Sequence, residues 1–261
     1  MPGLPKGQMH RFFTPVFLLL LAAPAEAKEL KILTGAGMSM PVRALAADFG
    51  QRTGTTVSVV SDTAGAVQKR MEAGEKFDLV IGTTAVLDNL TRQNKVAGQH
   101  TDLAQMVAGI GAKKGTAQPA IADSGQVKAT LVQAKTIAYV DPASGGITGV
   151  FFLQQADKLG IGQQVRAKAV LKPNGTGVAA AVASGEAQYG VTLISEMLPN
   201  KDVTVWPLPD DLQMTTIYTA AIATNAENAM DATALLNDLR GPLGRDASVK
   251  AGLKPVSNQT Q

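Results

Sequence analysis

The sequence predicts an α/β protein of two lobes, each a mostly parallel sheet flanked by helices, joined by a hinge of two crossings. Three observations predict it. Short apolar or β-branched runs alternate with stretches of helical periodicity, which is the pattern of βαβ units. The alternation occurs in both halves of the chain, without a clear sequence repeat. Extended apolar segments, Met106 to Lys113 and Ile217 to Thr224, lie where the chain would pass between the halves.

The N-terminus comes first. Lys6 and Arg11 supply positive charge, and Phe12 to Ala23 is mostly apolar. Ala25-Glu26-Ala27 then offers a small-x-small exit. These are the parts of a secretory signal, so residues 1–27 are expected to be removed. The apolar run of 12 residues is short of the ~20 a membrane-crossing helix needs. An exported, periplasmic protein starting at Lys28 is expected. Zero cysteines mean that it folds without disulfides.

Leu30 to Leu33 alternates as a strand does, and Pro41 to Arg52 places Val42, Leu45, Ala46 and Phe49 on one helical face. Gly54 ends that helix. Thr56 to Val60 is a β-branched strand, Ala64 to Ala73 a helix, Asp78 to Ile81 a strand and Ala85 to Gln93 a helix. Thr116 to Ser124 is more polar and carries Pro119. Lys135 to Val140 reads as a strand, Thr148 to Leu159 as a helix, and Val165 to Leu171 as a strand. Gly177 to Ala183 is a helix, followed by strands at Tyr189 to Leu193 and Val203 to Trp206. The expected division is residues 28–108 with 218–261 in lobe one, and 109–217 in lobe two.

Charge and composition exclude several functions. The net charge is +3 for the whole chain, with the basic residues scattered, which argues against nucleic acid as a partner. One Trp and three Tyr are too few for a sugar site of stacked rings. Gly35-x-Gly37 lacks the third glycine of a dinucleotide fingerprint, because Met40 stands in its place. No cofactor or metal is expected. Of the two histidines, His10 falls in the signal, and His100 stands in a polar stretch where solvent is expected around it. Most Ser-His-Asp arrangements are therefore excluded, and no enzyme activity is expected.

In open α/β sheets, ligands sit beyond the carboxyl ends of strands, at helix N-termini. Four loops stand there: Thr34 to Pro41, Ser61 to Gly65, Gly82 to Thr84, and Asp141 to Thr148. They are rich in Gly, Ser and Thr, and helix starts of this kind favour anions. Arg43 is in reach of an anion at the first of them. From the first half, Ser39 and Thr63 are the candidate hydroxyls, with Gly37 and Ala64 as N–H donors. From the second half the candidates are Ser144, Gly146 and Thr148, with Thr192 and Thr176 behind them. Ser39, Thr63 and Thr84 each also stand where a helix cap is wanted, and capping alone remains open for each.

Three stretches carry a resemblance. They are Leu30 to Gly54; Val67 to Gly82, with Arg70-Met71-Glu72-Ala73-Gly74 leading into Phe77-Asp78-Leu79-Val80-Ile81; and Leu235 to Val256. In this order they resemble the periplasmic molybdate-binding proteins of ABC importers. That resemblance implies a periplasmic-binding-protein-like fold, a ligand in the interlobe cleft, delivery to a membrane permease, and last helices packed back on lobe one. A monomer is expected. The family's first loop has a Ser where Gly37 stands here, its second-loop Ser pair is Thr63 and Ala64, and a later Tyr is Leu193. The expected ligand therefore widens from molybdate to another small oxyanion or a small carboxylate. Two other readings stay open: an exported adaptor or sensor with a divergent cleft, and a Ser-dependent hydrolase with Lys69 or Lys172 as its base.

Overall fold

The computed structural model describes residues 1, 3 and 29–256. The expected signal segment lies almost entirely outside them. Two sheets with flanking helices make the protein two-lobed. The first begins with β1 (Glu29–Gly35), a short turn of 3-10 helix and α1 (Ser39–Thr53). It continues through β2 (Thr56–Asp62), α2 (Ala64–Glu72), β3 (Leu79–Thr83), α3 (Thr84–Arg92) and β4 (Thr101–Gln105). The chain then enters the second sheet with β5 (Ala108–Lys113), α4 (Ser124–Gln133), β6 (Ile137–Val140), α5 (Ile147–Lys158) and α6 (Gly162–Ala167). That sheet is completed by β7 (Ala169–Lys172), α7 (Gly175–Ser184), β8 (Tyr189–Leu193), α8 (Ile194–Met197) and β9 (Val203–Pro207). The chain returns to the first sheet with β10 (Ile217–Ile222), α9 (Ala229–Arg240), α10 (Pro242–Lys250) and β11 (Lys254–Pro255).

The strand orders are β11-β4-β10-β3-β1-β2 and β7-β6-β8-β5-β9. Each sheet is mixed rather than mostly parallel. β2, β1 and β3 form the parallel block of one, and β7, β6 and β8 that of the other. The strands next to the crossings, β10 and β5, are antiparallel to these blocks, because each enters its sheet directly from the other without a crossover helix. The crossings brace one another. Met106 N–H donates to Thr216 O at 2.9 Å, and the Gln213 side chain bonds both Ala108 N and Ala108 O. One apolar cluster runs from Ile32 and Phe49 through Met106 and Met214 to Ile110 and Phe152, so the crossings are buried in a core common to both sheets.

Local periodicity explains most helices. Val42, Leu45, Ala46 and Phe49 are buried on one face of α1, and Gly54 ends it at φ +74°. The segment read as a strand from Val165 to Leu171 is different. Its first half is α6, and only Ala169–Lys172 is strand. Ile161 and Val165, four apart, both go into the core, and Arg166 forms a bidentate pair with Asp157 at 2.8 Å. The strand-like alternation loses to this tertiary packing. The segments that form β4 and α4 carry little apolar periodicity. His100 is not solvated: its side chain is mostly buried, with Nε2 2.8 Å from the Thr91 hydroxyl.

The last helices pack on α1, and Arg52 of α1 pairs with Asp238 of α9. Buried Asp78 fixes the start of this closing unit. Its carboxylate accepts Lys31 N–H of β1 at 2.8 Å and Asn228 N–H, just before α9, at 2.9 Å. Asp78→Ala orphans both donors, and is expected to cost about 3 kcal/mol in urea unfolding. Asp78→Asn, which keeps an acceptor, should cost less. An alanine variant as stable as the parent would show that the clamp carries no stability.

Candidate functional site

The two sheets meet at the carboxyl ends of β1, β3, β6 and β8. A narrow cavity of about 30 Å³ lies between them, beside a wider groove of about 540 Å³ that shares Thr83 and Ile147 with it. The lobes touch here. Gly65 N–H donates to Gly145 O at 3.1 Å, and the Thr63 hydroxyl donates to Ser144 O at 3.2 Å. A Cβ on Gly65 would lie 2.9 Å from Gly145 Cα, so the contact requires a glycine at that point.

Four helices point their N-terminal ends at this cavity. Ala64 opens α2, Thr83 precedes α3, Ile147 opens α5 and Gly175 opens α7, and all four line the wall. Thr63 caps α2 by accepting Ala66 N–H at 3.2 Å, and Thr83 caps α3 by accepting Val86 N–H. α5 starts after Gly146 with no capping side chain, which leaves its first N–H groups to a ligand or to water. Among the described residues no Lys, Arg or His lines the cavity. Its positive field comes from helix ends alone.

Of the residues expected in the site, Thr63, Ala64, Gly146 and Thr148 line the cavity. Thr192 stands just behind, 3.3 Å from the Thr148 hydroxyl. Gly37 is also one layer back. Its N–H bonds the Tyr218 phenol oxygen, and a side chain on it would collide with that oxygen and with Leu193. Ser39 is outside: it is the first residue of α1 rather than its cap, and its Oγ accepts Arg43 Nε–H at 3.1 Å. The short 3-10 turn before α1 brings the helix start forward and turns Ser39 away. Arg43 reaches Val59 O rather than the cavity. Ser144 donates its hydroxyl to Asp141 O and offers only its carbonyl across the cleft. Thr176 is exposed. Lys172 pairs with Glu186, and Lys69 is exposed, so neither is placed as a base for a serine.

Two wall residues escaped the sequence reading. Tyr218 on β10 is buried, and both Gly35 and Gly37 give it room. Burial drives its phenol pKa far upward, and the nearby Glu196 adds to this. Glu196 on α8 sits in the wall with its Oε2 accepting from Thr192 Oγ1 at 2.7 Å. Desolvation raises its carboxyl above the ordinary range, against lowering hydrogen bonds from Thr192 and the Leu193 backbone. Its signal in the sequence was a lone acid three residues after an apolar strand.

Residues 30–254 match the family model described as bacterial extracellular solute-binding protein. The chain belongs to this family. It is 31% identical to an aconitate isomerase from Pseudomonas sp, over 99% of this chain and 98% of that protein. It is 25% identical to the molybdate-binding protein ModA of Rhodobacter capsulatus, over 85% of this chain and 86% of that one. The periplasmic molybdate-binding protein of Azotobacter vinelandii superimposes with a TM-score of 0.74 at 20% identity, covering 88% of this chain and 100% of that one. The protein is thus a molybdate-binding-like substrate-binding protein in fold and family.

Thr63 holds a helix and a lobe contact with one hydroxyl. Thr63→Ala is expected to lose about 1 kcal/mol of stability through the cap. It should also enlarge the scattering radius as the closed population falls. Thr63→Ser should restore both. An alanine variant as compact as the parent would reduce Thr63 to a cap.

Proposed function

We propose that this protein captures a small organic anion with several carboxylates between its lobes and hands it to an ABC-type membrane permease. The observation that carries this reading is the convergence of four helix N-termini on one cavity wall without a cationic side chain. Such a wall suits an anion whose charge is spread over several oxygens, each met by a different helix end. Burial keeps Glu196 protonated to higher pH than a free carboxyl, so it subtracts less from that field and offers an O–H donor. Tyr218 offers another. Thr63, Ala64, Gly146 and Thr148 would contact the ligand, and Thr192 would hold Glu196.

A carboxylate is favoured over molybdate by two differences. The relative that matches over nearly its whole length is named for aconitate, a tricarboxylate, whereas the molybdate-binding relatives match at lower identity. The first loop also has Gly37, filled over by Tyr218, where the resembling molybdate-binding family has a Ser. Closure follows from differential affinity: a ligand bridging both lobes binds the closed form more tightly and shifts the balance toward it. The family supports an extracytoplasmic site of action, reached after removal of residues 1–27, and the protein acts there as a monomer.

The test is a melting-temperature panel of cis-aconitate, trans-aconitate, citrate, molybdate, sulfate and glucose. A ligand at ~100 times its Kd adds about 2.7 kcal/mol, or roughly 5–10 °C for a chain of this size. The tricarboxylates should produce that shift. Stabilisation by molybdate or sulfate alone would replace the carboxylate reading, and stabilisation by glucose alone would overturn the anion reading altogether.

A further inference from the structure

A carboxyl group is a costly thing to place in the wall of an anion site. Once ionised it repels the ligand and opposes four helix ends, and a neutral donor such as an amide or hydroxyl would serve binding without that liability. Yet the fold builds around Glu196. Thr192, 2% exposed, fixes Oε2 with a 2.7 Å bond. Gly175 lies so close that any side chain there would collide with the carboxyl. Among the described residues lining the cavity, Glu196 is the one acidic side chain, and Tyr218 is the one other titratable group.

We propose that Glu196 is a catalytic residue that moves a proton between two carbons of a bound unsaturated tricarboxylate, and so shifts its double bond. The proposal rests on the reading that the cleft takes a tricarboxylate. In the step, the Glu196 carboxylate takes a proton from a methylene carbon next to the double bond. The C–H electron pair becomes a new carbon–carbon double bond, and the old double-bond pair moves onto a carboxylate as an enolate. The Glu196 carboxylic acid then returns the proton to the far alkene carbon. One C–H bond breaks, one forms, and no atom or electron is gained or lost. Releasing the chain of carbons from its double bond in this way allows the cis and trans forms to interconvert.

The rest of the wall fits this chemistry. The enolate places extra charge on carboxylate oxygens, where helix N-termini and the Tyr218 hydroxyl would meet it. Tyr218, pushed upward by burial, keeps its proton as a donor. A carboxyl raised by burial is a better base near neutrality than a free one.

The experiment separates activity from binding. Purified protein is mixed with cis-aconitate, and separately with trans-aconitate, in D2O. Isomer conversion and deuterium at the methylene carbon are read by NMR, while calorimetry measures binding of each isomer. The parent protein should bind both and convert them. Glu196→Gln should still bind both but convert them at least ~100-fold more slowly, the usual contribution of a general base. Glu196→Asp, which shortens the reach but keeps the acid, should fall between. Binding without conversion or deuterium uptake in the parent would overturn the proton transfer and leave the receptor reading standing. Conversion by Glu196→Gln at the parent's rate would remove Glu196 from the chemistry. Absence of binding to either isomer would overturn both readings.

Discussion

The closed cleft depends on two backbones meeting with no side chain between them. Gly65 in the first turn of α2 and Gly145 in the loop before α5 come within a 3.1 Å hydrogen bond. Gly145 holds φ +79°, a conformation that side chains resist, and Gly65 has backbone where its Cβ would be. Two features of the wall go with that approach. It brings the starts of α2 and α3 opposite those of α5 and α7, and it lets Thr63 reach Ser144 O. The braced crossings at Met106 and Thr216 keep the lobes in the register that makes this meeting possible.

The electrostatics of the wall are those of a site without formal positive charge. Helix ends act as partial charges that fall off within a turn, so they discriminate strongly by position. An anion gains most when its oxygens are spaced to meet several ends at once. Glu196 stands in that field as a second charge-bearing group whose ionisation is opposed by its own burial. A receptor and an acid–base catalyst would share every other part of this cavity. Glu196 distinguishes them, and the small distance between the two functions is one carboxyl on a four-residue helix.

Much of the fold was legible because its signals are local. β1, α1 and β3 follow from alternation, helical spacing and terminal glycines, and each lies within one or two residues of its expected place. The failures are where distant contacts decide. Val165 to Leu171 alternates like a strand, but Arg166 finds Asp157 and Val165 finds the core. β4 is a polar stretch made into a strand by β10 and β11 on either side. In the site, Thr63, Ala64, Gly146 and Thr148 were readable because loops before helices announce themselves. Tyr218 and Glu196 were not, since each is brought to the cavity by a strand pairing or a packing contact remote in sequence. Ser39 failed for a nearer reason, a single turn of 3-10 helix before α1.

The central claim is that ligand capture works through the glycine-to-glycine closure. Its most direct measurement is solution scattering of the parent and of Gly65→Val, each with and without saturating cis-aconitate. The account predicts that ligand holds the parent in its compact form, while the valine variant, folded by circular dichroism, stays expanded and binds weakly. A valine variant that compacts as fully and binds as tightly as the parent would contradict it.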